Sequence, residues 1–152
     1  MSKVMPLEEI KKHIGKEIFI SDWKEVTQEQ INQFADATGD HQWIHVDIEK
    51  AALGPFGKTI AHGFLTLSYI VCFSYEGSFV PEGAKMSTNY GLNKVRFINP
   101  VTVGSKIRDR IILLNIDDQK PGRVLVTTTH TIEIEGEEKP ACVAEFLAMI
   151  FV

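Results

Sequence analysis

From Gly63 to about Phe73 the chain is apolar on nearly every side, with Phe64, Leu65, Leu67, Ile70, Val71, Cys72 and Phe73 leaving almost no polar face. A helix that is hydrophobic all round is a buried helix, and this one falls well short of the ~20 residues that span a bilayer. Upstream the pattern is also helical. Pro6 to His13 predicts a short helix with Pro near its start and Gly15 beyond its end. Glu17 to Ile20 alternates and predicts a strand. Thr27 with Gln30 has the form of a capping box, in which each residue satisfies a free N–H of the other at a helix start. Ile31, Phe34 and Ala35 then share a helical face, and Gly39 marks the stop. Asp47 caps a further short helix ending near Leu53, broken by Gly54-Pro55-Phe56-Gly57.

After Pro81 the period changes from helix to strand. Tyr90 to Phe97, Lys106 to Ile116, Arg123 to Ile134 and Cys142 to Phe151 are the predicted strands. In the third, Val126, Thr128, Ile132 and Ile134 fall on one face, with Thr127, Thr129, Thr131 and Glu133 on the other. Turns fall at Asn99-Pro100, at Asp117 to Gly122, and at Glu135 to Lys139, where Gly136 suits a hairpin. A buried helix followed by long antiparallel strands implies an α+β fold, a curved sheet wrapped around that helix. Such a sheet keeps a free edge, and pairing the edges of two copies removes it, so a homodimer is expected.

The chain has 152 residues, fitting one domain over 1–152, and 44% hydrophobic content, enough for a core without disulfides. Its net charge of -4 comes from interspersed charges with no basic face, which argues against nucleic acid as a partner. The charged N-terminus does not have the form of a signal peptide, and the expected location is the cytoplasm, with no membrane partner. Cys72 and Cys142 lack metal-ligand spacing and sit in apolar runs, so both are expected as small core residues.

Between the two predicted helices lies Gly39-Asp40-His41-Gln42-Trp43-Ile44-His45-Val46-Asp47, read as too short and irregular to form a regular element. It gathers a carboxylate, two histidines and an amide in a loop held by a scaffold. An Asp and a His sharing one water can take a proton from it and deliver one to a neighbouring carbon, which is what hydrating an activated alkene needs. Taken alone, an Asp and a His in a loop are more often surface residues. Further on, Ile60-Ala61-His62-Gly63 places a glycine at the head of the buried helix. The first N–H groups there have no internal partner, and the helix dipole favours negative charge on a carbonyl oxygen brought to them. The alternative is that Gly63 only eases a tight helix entry.

Phe34-Ala35-Asp36-Ala37-Thr38-Gly39-Asp40, then His45-Val46-Asp47, then Ala61-His62-Gly63 resembles the signature of the MaoC-like (R)-specific enoyl-CoA hydratases. The wording Gly-Asp-His-Gln-Trp-Ile-His-Val-Asp is similar to the nodulation protein N-like branch. The resemblance is strongest from about Ser21 to Leu67 and continues loosely through Tyr90 to Phe97. It implies a hot-dog fold, usually dimeric, with Asp40 and His45 catalytic and the Gly63 N–H binding the thioester oxygen. It implies an acyl-CoA or acyl-carrier-protein thioester as substrate, a (3R)-hydroxyacyl product, and neither a metal nor a cofactor beyond the thioester itself. The chain departs from many relatives at Gln42-Trp43, where they carry Asn-Pro, which puts the acyl pocket in question.

Trp43 is a candidate contact for the acyl chain and equally a packing residue. Asn93 and Arg96, with Asn89 and Lys94, are candidates for contacting CoA, against the simpler reading of a solvated strand. His41 and His62 are expected to order the loop, His13 and His130 to be structural, and Ser68 to bond its own helix. A hot-dog thioesterase and a non-catalytic acyl-thioester-binding domain are the rival functions.

Overall fold

The computed structural model describes residues 2–152. The chain begins with β1 (Lys3–Met5), α1 (Leu7–Lys11), β2 (Glu17–Ile20) and β3 (Lys24–Glu25), followed by α2 (Gln28–Thr38), α3 (Trp43–Val46) and α4 (Ile48–Ala52). The long helix α5 (Gly63–Gly77) leads through β4 (Phe79–Pro81) to the strands β5 (Met86–Phe97), β6 (Lys106–Asp117), β7 (Arg123–Ile134) and β8 (Cys142–Phe151). The main sheet has the order β2-β6-β7-β8-β5, with β3 also on β6, and every pairing in it is antiparallel. β1 and β4 form a separate parallel pair.

Local chemistry accounts for the helix ends. The Thr27 hydroxyl accepts from Gln30 N–H, while the Gln30 side chain accepts from Thr27 N–H, closing the capping box of α2. Gly39 ends that helix at φ 80, a left-handed angle that costs glycine little. Asp47 caps α4 by accepting from Lys50 N–H at 2.9 Å.

The helix α5 lies on the sheet through Thr66, Ile70 and Phe73, which share one stripe. Ile70 and Phe73 join Val26, Ile31, Ile107, Ile132, Cys142 and Phe146 in the main core. At its far end, Gly77 lets Phe19 of β2 come so close that a Cβ there would lie 2.0 Å from the ring. This layering of one long helix on a curved antiparallel sheet is the hot-dog fold that the resemblance implied.

Several expectations need correction. The sequence suggested that α5 is buried on all sides, but Phe64 and Tyr75 are exposed, because the sheet of a single chain covers only one stripe. Cys72 lies on an uncovered side and is exposed, whereas Cys142 is buried as expected. Residues 43–46 form a helical turn rather than irregular loop. β5 starts at Met86, before the predicted Tyr90, and is exposed along nearly its whole length, as befits the free edge of the sheet. Among the described residues no helix is long and apolar enough to cross a membrane.

Candidate functional site

Four short segments meet at the head of α5. α2 ends at Gly39 and releases Asp40; α3 carries His45; the stretch from Thr59 to His62 runs alongside; and Gly63 opens α5. Gln28, in the first turn of α2, fastens them together. Its side-chain amide donates to the His45 carbonyl oxygen at 2.8 Å, and its oxygen accepts from the Thr59 hydroxyl at 2.5 Å. The backbone continues the joint, with Ile60 N–H donating to the Ile44 carbonyl at 3.0 Å and Ala61 N–H to the Val101 carbonyl at 2.8 Å.

His45 is buried, and its ring Nδ1 lies 2.7 Å from the Ile60 carbonyl oxygen. A carbonyl can only accept, so Nδ1 carries the hydrogen and the neutral ring has its free lone pair on Nε2. Burial pushes the His45 imidazolium below the ordinary histidine value of 6.5; neighbouring His62 adds to this, while the Ile60 carbonyl and Asp40 oppose it. The result is a ring that stays neutral, with one nitrogen ready to accept a proton.

Asp40 differs from His45 in setting. Its side chain is 53% exposed. One carboxylate oxygen accepts from Gln42 N–H at 3.3 Å, which turns the chain towards α3. Its backbone oxygen accepts from Nε2 of His62 at 2.9 Å. His62 is buried, stacks on His45 with ring centroids 3.8 Å apart, and also meets Phe34 at 4.9 Å. The polar atoms of Asp40, His45 and His62 lie within 4.8 Å of one another. Such a group invites comparison with a metal site, but the fit is poor. The two rings lie face to face within 23° of parallel, so no single point close by is in the plane of both, as two imidazole ligands require.

Gly63 begins α5 with His62 as its N-cap and no side chain capping the helix. The first-turn N–H groups are therefore not taken by a capping side chain. A Cβ on Gly63 would meet the Phe97 ring at 3.2 Å, so the glycine also admits this aromatic residue from β5. Gly63 thus combines close packing on its Cβ side with a helix start that no side chain caps. Beside it lies a cavity of about 240 Å3 lined by Phe56, Ile60, Ala61, Thr66 and Phe97 among others.

The remaining candidates lie apart from this group. The Trp43 ring packs under the Lys50 ammonium at 4.9 Å and closely over Gly54. Asn93 donates to Glu145 at 2.5 Å and Arg96 to the Val95 carbonyl at 2.7 Å, both exposed on β5. His41 bonds Asp36 at 2.8 Å on the surface, and Ser68 bonds the Phe64 carbonyl of its own helix at 2.8 Å. Gln28 was not singled out from the sequence, since a glutamine in a first helical turn carries no distinguishing pattern. His130 is buried in a polar chain of its own, with Nδ1 2.6 Å from Asp109 and Nε2 2.9 Å from the Thr128 hydroxyl.

The chain is 53% identical over 131 residues, 86% of each chain, to the 3-hydroxyacyl-thioester dehydratase Z of Mycobacterium tuberculosis. It is 42% identical over 147 residues to nodulation protein N of Rhizobium leguminosarum bv. viciae, covering 96% of this chain and 91% of that one. Among solved structures, a monoamine oxidase regulatory protein from Archaeoglobus fulgius superimposes with a TM-score of 0.81 at 26% identity, over 99% of this chain and 97% of that one. The MaoC like domain matches residues 9–135, so the segments that carry Asp40, His45 and Gly63 all fall within it, and the chain belongs to the MaoC-like dehydratase family.

Proposed function

We propose that this protein hydrates trans-2-enoyl thioesters, and dehydrates the products in reverse, giving (3R)-hydroxyacyl thioesters. The observation that carries the reading is the placement of a neutral, buried His45 with a free Nε2 beside the Asp40 carboxylate, at the uncapped start of α5. The name of the 53% identical relative, a 3-hydroxyacyl-thioester dehydratase, supports the same reaction class.

In this reading the thioester oxygen rests on the Gly63 N–H, and Asp40 and His45 hold one water near C3. The water oxygen bonds to C3 while its proton passes to the polar pair. The alkene electrons move onto the thioester oxygen as an enolate, stabilised by the Gly63 N–H and the helix dipole. A proton then returns from the pair to C2. All atoms of water enter the product, so the step balances without a redox partner. The base and acid roles are assigned to Asp40 and His45 together, since both would hold the same water.

The proposal includes a homodimer that pairs through β5. It is supported by the exposure of that edge strand, with Tyr90 and Leu92, and of Phe64 and Tyr75 on the uncovered side of α5.

Incubation with crotonyl-CoA tests the reaction. Hydration removes the conjugated enoyl absorbance without releasing thiol, and chiral chromatography of the product should give the 3R isomer. Release of free thiol would mean a thioesterase, and no change with either CoA or carrier-protein thioesters would mean a binding domain. A comparison of the two carriers at equal concentration decides which one presents the substrate.

A further inference from the structure

We infer that His62 is the positioning residue of this site, one side chain that fixes Asp40 through its carbonyl and His45 through the face of its ring. The inference rests on the hydratase reading for its kinetic consequence but on the geometry for its substance. His62 is 3% exposed and is the N-cap of α5, one residue before Gly63. Because Nε2 donates to the Asp40 carbonyl at 2.9 Å, the hydrogen of the neutral ring is on that nitrogen. Nδ1 is buried and has no hydrogen-bond partner. A buried ring nitrogen left unpaired has a cost, and such sites call for an explanation. Here the explanation is that the ring is held for where it lies. It stacks on His45 at 3.8 Å and 23°, and meets Phe34 of α2 at 4.9 Å.

The consequence is geometric first. The Asp40 carboxylate is half exposed, and its own hydrogen bond, to Gln42 N–H, is long at 3.3 Å. The shorter tie on that residue is the one from His62 to its backbone oxygen. On the other side, His45 is held at Nδ1 by the Ile60 carbonyl, which leaves rotation about that bond to be limited by what lies against the ring face. His62 lies there. It therefore sets the distance between the two members of the pair and their relation to the Gly63 N–H, which follows it directly in the chain. Misplacing such groups by about an ångström can cost ~100-fold in rate.

There is an electrostatic consequence as well. The titratable groups that act on His45 are Asp40 and His62, with the Ile60 carbonyl on Nδ1. Stacked His62 keeps water off one face of His45, in line with the burial that depresses its basicity.

Two substitutions separate the functions of the side chain. His62→Phe keeps an aromatic face on His45 and removes the donor to Asp40; His62→Gln keeps a donor and removes the stacked ring. Both should lower kcat for enoyl thioester hydration by at least tenfold with KM changed less than threefold. In His62→Gln, the NMR titration of the His45 ring should move up towards the ordinary histidine value, and in His62→Phe it should stay close to the parent. Wild-type kcat in either variant, or an unmoved His45 titration in His62→Gln, overturns the proposal. So does loss of folding in both, which would make His62 a structural residue only. If the parent protein hydrates no enoyl thioester, the functional reading fails, while the NMR arm still decides whether His62 positions His45.

Discussion

Replacing Asp40 by Asn separates a chemical role from a structural one. The side chain is 53% exposed, accepts one long hydrogen bond, from Gln42 N–H at 3.3 Å, and has its other oxygen 4.0 Å from His62 Nε2. An amide oxygen can accept the same bond, and the tie from His62 goes to the backbone, which the substitution leaves in place. Stability should therefore change by less than ~0.5 kcal/mol, the scale of surface substitutions away from special features. The chemistry should suffer far more. The variant has no carboxylate to share the proton of the attacking water or hold it against His45, and such acid–base groups contribute ~100-fold or more to rate. A loss of that size is ~2.7 kcal/mol of transition-state stabilisation, several times the expected change in folding energy. The assay follows enoyl-CoA absorbance at saturating substrate, beside thermal unfolding of the same preparation. Unchanged Tm with a hundredfold lower kcat is the expected outcome. A variant that keeps its Tm and turns over within threefold of the parent would refute the assignment of Asp40.

Other perturbations test other parts of the structure. Hydration should hold its rate to below pH 6.5 before its acid limb falls, because burial keeps His45 neutral there; a limb at or above 6.5 in kcat/KM would contradict this. The same shift acts on folding: since His45 binds its proton less readily when folded, its contribution to stability is present above 6.5 and is lost as pH falls below it, a slope that His45→Gln should remove from denaturation curves. Gly77→Ala would press a methyl group against the Phe19 ring, where the Cβ lies 2.0 Å away, and should cost ~1–3 kcal/mol in urea unfolding. Gly63→Ala, with 3.2 Å to Phe97, should cost less, and the reverse order would count against the packing. His130→Phe would take from Asp109 its partner at 2.6 Å, where both are at most 1% exposed and burial already raises the Asp109 pKa, for a loss of ~1–3 kcal/mol. Adding Asp109→Leu should recover most of that, and a double variant no more stable than the single one would show that the pair is not the cause.

What the sequence made legible was whatever has a local cause. The capping box at Thr27 and Gln30, the left-handed stop at Gly39 and the Asp47 cap are side chains acting on backbone within a few residues, and each is found where the residues predict it. The long strands were legible because alternation is a local property too, and β7 and β8 run over the predicted residues. The start of β5 was missed because Met86 to Asn89 lie at an open edge and are exposed, so no burial pattern is written into them. Cys72 is exposed, against the expectation of a core residue, for a related reason. An apolar run states that a surface can be covered, and only the assembly determines which side is covered by the same chain.

The site itself divides along the same line. Asp40, His45 and Gly63 could be picked out because the residue types and their spacing resemble a known signature, but nothing in that spacing says how they are held. The holding is long-range. Gln28 reaches the carbonyl of His45 and the hydroxyl of Thr59, and Ile60 fixes the tautomer of His45 through a carbonyl that any residue would carry. A backbone oxygen leaves no trace in the sequence, so the tautomer cannot be read from it. Yet the tautomer decides which nitrogen keeps its lone pair for the proposed reaction. Moving the proton from Nδ1 to Nε2 would break the 2.7 Å bond and turn the same histidine from acceptor to donor. In the proposed reaction the identity of the reacting groups is thus written in the motif, while the direction of proton transfer would follow from the path of the chain between Thr59 and Gly63. His62 lies on that path, and its ring is placed by contacts with α2 and α3 that come together only in the folded chain.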